Sequence, residues 1–326
     1  MRNFVTPNVV VSKCLGFAEC RWNGQTIPDH FVDQLEPHVH FRPVCPEVEI
    51  GLGAPRDPIR IVSVDGEPHL LQPETERDVS EEMRSFTHEF LDSLEDIDGF
   101  LLKNRSPSCG LNDVRIYSNP KPGAAASRGQ GFFGGAVMER YPQLAIEDEG
   151  RLKNFRIREH FYTRLFTFAE FRTVRESGRM KDLVQFHAEN KYLLMAYDEA
   201  RLRRLGRIVA NPGGASFEEV IDDYEGDFYA AFSGMPPCGS HVNVLQHAMG
   251  YFSDRLDPDE KAFFLEALER YQDGKVPLST NINLMRSWIA RFDNDYLASQ
   301  TFFEPYPEEL VEITDSGKEM ACVNGG

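Results

Sequence analysis

Short β-branched runs alternate with helical stretches through the first 150 residues. Asn8-Val9-Val10-Val11-Ser12 has the apolar continuity of a buried strand. Similar patterns predict strands at 39–44, 59–64, 99–103 and 114–118. Between them, 79–94 reads as a helix. Ser80, Glu81 and Glu82 open it, and Met83, Phe86, Phe90, Leu91 and Leu94 form its apolar face. Strands alternating with helices predict an α/β domain with a mostly parallel, Rossmann-like sheet. After residue 150 the period changes to that of helices, at 151–177, 183–209, 217–232, 242–255, 258–272 and 278–291. Asp257 caps the fifth of these, with Asp259 and Glu260 in its first turn and Gly274 past its end. The expected architecture is an α/β N-terminal domain (1–150), a basic connecting helix region (151–182) and an all-α C-terminal domain (183–326). The tail from Ser316 is expected to fray.

Composition agrees with two domains. The chain has 326 residues, 41% hydrophobic and 27% charged, enough apolar material for real cores. No apolar run approaches the ~18–20 residues of a membrane helix. The N-terminus lacks the apolar stretch of ~7–15 residues of a signal peptide. A cytoplasmic protein with no membrane contact and no obligate protein partner is expected. In that reducing setting six cysteines read as metal ligands, catalytic thiols or buried hydrophobes, not as a disulfide scaffold. The net charge of −17 argues against nucleic acid for the chain as a whole. Residues 151–181 differ, with nine basic and three acidic side chains, a local edge suited to an anionic ligand.

Three cysteines share one setting. Cys14, Cys45 and Cys109 each fall just beyond the carboxyl end of a predicted strand, where ligands gather in open α/β sheets. A lone cysteine is commonly a small buried hydrophobe. The prolines and glycines around Cys45 and Cys109 instead mark loops of specified backbone. Thiolates favour zinc and iron–sulfur clusters, and spacing alone does not separate the two. Cys20 lies near Cys14, as a fourth ligand or a neighbour. Cys238 and Cys322 are expected to be non-ligands.

The ordered motifs Ser12-Lys13-Cys14-Leu15-Gly16, Cys20-Arg21-Trp22-Asn23-Gly24, Cys45-Pro46-Glu47-Val48-Glu49-Ile50-Gly51-Leu52-Gly53 and Ser106-Pro107-Ser108-Cys109-Gly110 closely resemble the bacterial thiouracil desulfidase family over roughly residues 5–150. The second half, with Asn190-Lys191-Tyr192-Leu193-Leu194-Met195-Ala196 and His241-Val242-Asn243-Val244-Leu245-Gln246-His247, resembles the helical YbgA-type domain. The fused arrangement is similar to bacterial tRNA 4-thiouridine desulfidases. The resemblance implies a [4Fe-4S] cluster held by Cys14, Cys45 and Cys109, with one iron open to substrate sulfur. It also implies two catalytic side chains, Glu47 and Ser106. The implied reaction is non-redox replacement of a thiocarbonyl sulfur by oxygen.

That chemistry is physically coherent. Coordination of a soft sulfur makes the attached carbon electrophilic. Glu47 is placed to act as general base toward water, and Ser106 to orient that water. Without the resemblance, Glu47 reads as a solvated loop carboxylate and Ser106 as a turn hydroxyl. The glycine-rich stretch Arg128–Gly135 departs from dinucleotide spacing and reads as a tight turn near the site. Lys153, Arg156, Arg158, Arg164, Arg203 and Arg204 are candidate tRNA phosphate contacts, against the plainer reading of solvated helix faces or ion pairs. Phe161 and Tyr162, interleaved with them, read as core. His241 and His247, six residues apart, do not share a helix face and do not read as a metal pair. Two other readings stay open: a desulfidase of free thiouracil or thionucleosides, and an iron–sulfur redox or sensing module.

Overall fold

The computed structural model describes residues 2–211 and 213–312. The expectations for Cys322 and for the tail from Ser316 lie outside the described residues. Contacts divide the chain into two compact units, Val5–Ala169 and the chain from Glu170 onward together with the residues before Val5. The first is an α/β unit and the second is helical, the fold class expected from the pattern.

The α/β unit runs β1 (Asn8–Ser12), α1 (His30–Leu35), β2 (His40–Val44), α2 (Pro46–Glu49), β3 (Arg60–Val64), β4 (Glu67–Gln72), β5 (Arg77–Asp78), α3 (Ser80–Asp92), β6 (Gly99–Leu102), β7 (Val114–Tyr117), β8 (Ala126–Gly129), α4 (Phe132–Arg140) and β9 (Ala145–Asp148). One sheet has the order β2-β1-β6-β9 and is parallel throughout. Its centre is apolar on both faces, as a covered parallel sheet requires: Val9, Val10, Val11, Phe100, Leu101 and Leu102 are fully buried. The second sheet, β5-β4-β3-β7-β8, is mixed, with β3 and β7 its one parallel pair. Its inner face packs Ile59, Ile61, Leu70 and Val114 against Met83 of α3.

The long helix α5 (Phe155–Ser177) carries the chain past Ala169. The helical unit continues with α6 (Met180–Glu189), α7 (Lys191–Tyr197), α8 (Glu199–Ala210), α9 (Phe217–Ala231), α10 (Cys238–Gly250), α11 (Pro258–Gln272), α12 (Leu278–Phe292) and α13 (Asp295–Ala298). Its core is aromatic: the ring centroids of Phe171 and Phe228 lie 4.4 Å apart in a tilted pair, and Phe186 and Tyr224 close around the Phe171 ring. The single helix expected at 183–209 is three helices. The buried Asn190 side chain bonds back to the Phe186 carbonyl at 2.9 Å and ends α6. Asp198 leaves helical geometry and caps α8 by accepting the Arg201 amide at 2.9 Å.

Phe161 and Tyr162 are core residues, as the apolar periodicity indicates. Arg158 corrects the expectation of a phosphate contact. Only 2% exposed, it donates to the Leu152 carbonyl at 2.7 Å and lies 4.5 Å over the Phe31 ring. A guanidinium enclosed in this way is committed to the fold. Arg158→Ala leaves that carbonyl without its donor and removes the cation–π contact, so it should cost about 3 kcal/mol of stability. Urea unfolding of the variant beside wild type measures this.

Candidate functional site: thiols and a buried carboxylate at the strand ends

Register places the chemistry. Ser12 pairs with Val44, and Val11 pairs with Leu101, so β1, β2 and β6 end together. Cys14 lies two residues past β1, Cys45 one residue past β2, and Cys109 on the loop after β6. The Lys13 amide donates to the Val44 carbonyl at 2.8 Å and the Lys103 amide to Ser12 Oγ at 2.8 Å, which ties the three exits together.

The thiols form one group. Cys20 contacts both Cys14 and Cys45 through its side chain, and its thiol is pushed up to about 11, first by the hydrogen bond with Cys14. Cys45 is raised further, by its contact with Cys20 and then by burial, while the Val48 amide opposes the shift. Burial pushes Cys109 up to about 12, against its contacts with the Ser12 and Ser108 hydroxyls. Cys109 also feels Cys45 and Glu47 electrostatically. Among the described residues, no three His, Cys, Asp or Glu side chains converge as on a single ion. The thiols instead neighbour one another in a chain. Four soft donors in one small volume suit an iron–sulfur group or zinc, and binding either would displace their protons.

Glu47 sits in the first turn of α2, two residues past Cys45, with its side chain 12% exposed. Its charge is met from two sides. Arg56 donates through Nε to Oε2 at 2.9 Å, with Nη2 on the same oxygen, and Ser108 Oγ donates to Oε1 at 2.7 Å. The Arg56 side chain is 4% exposed and also donates to the carbonyls of Cys20 at 2.9 Å and Gly53 at 2.6 Å. Its own amide donates to the Trp22 carbonyl at 2.8 Å. Gly51 and Gly53 take positive φ in the turn that returns Arg56 to Glu47.

Ser106 and Glu47 are joined through Ser108: the Ser106 and Ser108 hydroxyl oxygens lie 2.9 Å apart. Ser106 Oγ also accepts the amides of Cys109 at 3.1 Å and Ser108 at 3.3 Å. Ser106 is thus a turn hydroxyl that also faces the carboxylate network. The glycine-rich stretch holds this loop. At the start of α4 the Phe132 amide donates to Pro107, and those of Phe133 and Gly134 donate to Ser108, at 2.9–3.1 Å. A Cβ on Gly134 would meet the Cys109 and Gly110 carbonyl oxygens at 2.5 Å.

The residues the motifs single out thus meet: Cys14, Cys45 and Cys109, with Cys20, Glu47 and Ser106. Arg56 and Ser108 were not anticipated. Ser108 stood inside the Ser-Pro-Ser-Cys motif, and the turn-rich stretch from Gly51 to Arg56 was the only hint of the arginine. Among the candidate phosphate contacts, Arg164 donates to the Gln143 and Leu144 carbonyls, Arg203 pairs with Glu199, and Arg204 pairs with Asp227. Lys153 is exposed and Arg156 partly so. In the helical unit His241 Nδ1 lies 2.7 Å from the Tyr271 hydroxyl, a packing role, and His247 is exposed.

Fold and site define a thiol-bearing α/β domain, with a helical domain after it in the chain. Residues 9–149 match the family described as 2-thiouracil desulfurase, and residues 191–307 match DUF1722, a family of unknown function. The chain belongs to the 2-thiouracil desulfurase family through its N-terminal domain and carries a DUF1722 domain at its C-terminal side. Among curated relatives, the uncharacterized protein YbgA of Escherichia coli (strain K12) is 24% identical over 156 residues, which cover 47% of this chain and 92% of YbgA. The uncharacterized protein YbbK of Bacillus subtilis (strain 168) is 31% identical over 109 residues, covering 31% of this chain and 72% of YbbK. A solved structure of the [4Fe-4S]-dependent thiouracil desulfidase TudS is 29% identical, with a TM-score of 0.36, over 45% of this chain and 93% of that one. No helix of the described residues is long and apolar enough to cross a membrane.

Gly134→Ala should push the loop of Ser106 and Cys109 off α4 and cost about 1–3 kcal/mol, the range for overpacking. Thermal unfolding of the variant beside Gly135→Ala, whose added Cβ meets only the Gln130 side chain, at 3.2 Å, separates this close approach from a general effect of removing glycine.

Proposed function

We propose that this protein is a desulfidase that removes the thiocarbonyl sulfur of 4-thiouridine in tRNA and leaves uridine, without redox change. The observation that carries the reading is the meeting of four thiols with a buried, hydrogen-bonded carboxylate in a domain of the 2-thiouracil desulfurase family. The donor set fits a [4Fe-4S] cluster, with Cys14, Cys45 and Cys109 as its ligands. When bound, the cluster supplies Lewis-acid polarisation of the thiocarbonyl.

The chain's own residues do the rest. Glu47 takes a proton from water, its carboxylate held in one orientation by Arg56 and Ser108. Ser106 lines up the water, and the amides of Ser108 and Cys109 steady its oxygen. The low exposure of Glu47 and Arg56 limits bulk water around the carboxylate.

Charge supports a polyanionic substrate. Residues 105–128 carry Arg105, Arg115, Lys121 and Arg128 against one acid, Asp113, in a chain of net charge −17. Arg105 directly precedes Ser106 and pairs with Asp113 at 2.8 Å, and Arg128 pairs with the same carboxylate. The Arg105 and Arg128 side chains remain 72% and 57% exposed, open to phosphate. Lys153, Arg156, Arg203 and Arg204 are further candidates for backbone contacts.

The test incubates anaerobically reconstituted protein with 4-thiouridine-containing tRNA and follows the near-UV band of the thiolated base. Wild type should bleach the band, and Glu47→Ala and Ser106→Ala should each slow it at least about 100-fold with iron content unchanged. An unchanged band with an intact cluster rejects the proposal. The reading of a free-base enzyme wins if 2-thiouracil turns over and tRNA does not. Arg115→Glu combined with Arg128→Glu should reduce turnover of tRNA at least about tenfold more than turnover of 2-thiouracil, and more steeply as salt rises.

A further inference from the structure

We infer that Ser108 is a positioning residue that joins Ser106 and Glu47 into one proton relay, so that neither works as an independent catalytic group. The inference rests on the proposed desulfidase reaction and adds to it the route by which the proton leaves water.

The hydrogen-bond directions follow from counting protons. Glu47 is an acceptor when ionised, and a serine hydroxyl has one proton to donate. Ser108 Oγ lies 2.7 Å from Glu47 Oε1 and gives its proton there. That leaves only its lone pairs for Cys109 Sγ, at 3.7 Å, and for Ser106 Oγ, at 2.9 Å, so Ser106 donates to Ser108. The chain therefore runs Ser106 O–H to Ser108 Oγ, and Ser108 O–H to Glu47 Oε1. Ser108 is 1% exposed, so no bulk water competes for its hydroxyl. Arg56 occupies Oε2, leaving Oε1 as the oxygen that receives the proton.

Ser106 Oγ is prepared for its place at the outer end. The Cys109 amide holds one lone pair of this oxygen at 3.1 Å and stabilises negative charge as it develops there, while the Ser108 amide, the longer contact at 3.3 Å, yields the second lone pair to the water proton. An O–H bond of water breaks and its proton passes to Ser106 Oγ. The Ser106 proton moves to Ser108 Oγ, and the Ser108 proton to Glu47 Oε1. The water oxygen forms the C–O bond; as the C–S bond breaks, the second proton of that oxygen passes to sulfur, which leaves with the electron pair as hydrosulfide. Net, C=S and water give C=O, hydrosulfide and a proton, with no electrons gained or lost.

The experiment compares wild type, Ser108→Ala, Ser108→Thr, Glu47→Ala and Glu47→Ala/Ser108→Ala, each as full-length anaerobically reconstituted protein. Probes are 4-thiouridine-containing tRNA and free 2-thiouracil. Iron per chain and visible absorption are read first and should match wild type in Ser108→Ala. Its kcat should fall at least about 100-fold with KM within about threefold. Ser108→Thr, which keeps the hydroxyl, should recover to within about tenfold of wild type. The double variant should be no more than about threefold slower than Glu47→Ala, because a broken relay cannot be broken twice. In mixed H2O/D2O, the wild-type rate should depend on deuterium content as expected for several protons in flight, a dependence Ser108→Ala should lose.

Ser108→Ala within about threefold of wild type, multiplying losses in the double variant, or loss of iron from Ser108→Ala would each overturn the relay. An inactive wild type with an intact cluster is seen before any variant is compared, and it overturns the desulfidase reading itself.

Discussion

The site depends on parallel register. In a parallel sheet all strands end at the same edge, so residues far apart in sequence can be neighbours without any long-range loop. β1, β2 and β6 lie side by side with in-step ends, and Cys14, Cys45 and Cys109 follow from them. A one-residue slip of β2 against β1 would turn its side chains to the opposite face and displace Cys45. The Lys13–Val44 and Lys103–Ser12 hydrogen bonds fix this register at the very end of the strands, where fraying would otherwise be greatest.

The second constraint is electrostatic. A carboxylate as enclosed as Glu47 costs several kcal/mol to take from water unless it is paired and hydrogen-bonded. Arg56 and Ser108 meet that requirement on separate oxygens. A buried pair of this kind is weak evidence for stability, since an apolar pair can be as stable. Its consequence here is orientation, because Glu47 cannot rotate without losing both partners.

The parallel strands were legible in sequence because their continuous β-branched runs are what burial on both faces demands. Asn8–Ser12 is at the bounds expected for it, and the others differ by a residue at one end or the other. β4, β5, β8 and β9 escaped notice. Arg77–Asp78 and Ala126–Gly129 are short and exposed, and pairing to a neighbour defines them more than apolar content does. Arg158 misled for the opposite reason: a buried arginine breaks the rule that charge marks a solvated face, and only three dimensions reveal Phe31 beneath it. The thiols, Glu47 and Ser106 were legible through motifs. Arg56 was not, because its meaning comes from meeting Cys20, which lies 36 residues away.

That meeting also bears on Cys20. Its thiol touches Cys14 and Cys45, and its carbonyl receives the Arg56 guanidinium that holds Glu47. The Trp22 carbonyl, two residues on, receives the Arg56 amide. One side chain therefore fastens the loop after β1 to the loop after β2, and Cys45 Sγ meets the same Cys20 carbonyl at 3.7 Å. Movement of the Cys20 loop would shift Arg56, and with it Glu47, even if Cys20 never binds iron. The place of Cys20 in the motif thus has a structural reason separate from ligation: its carbonyl receives the guanidinium that holds the Glu47 carboxylate.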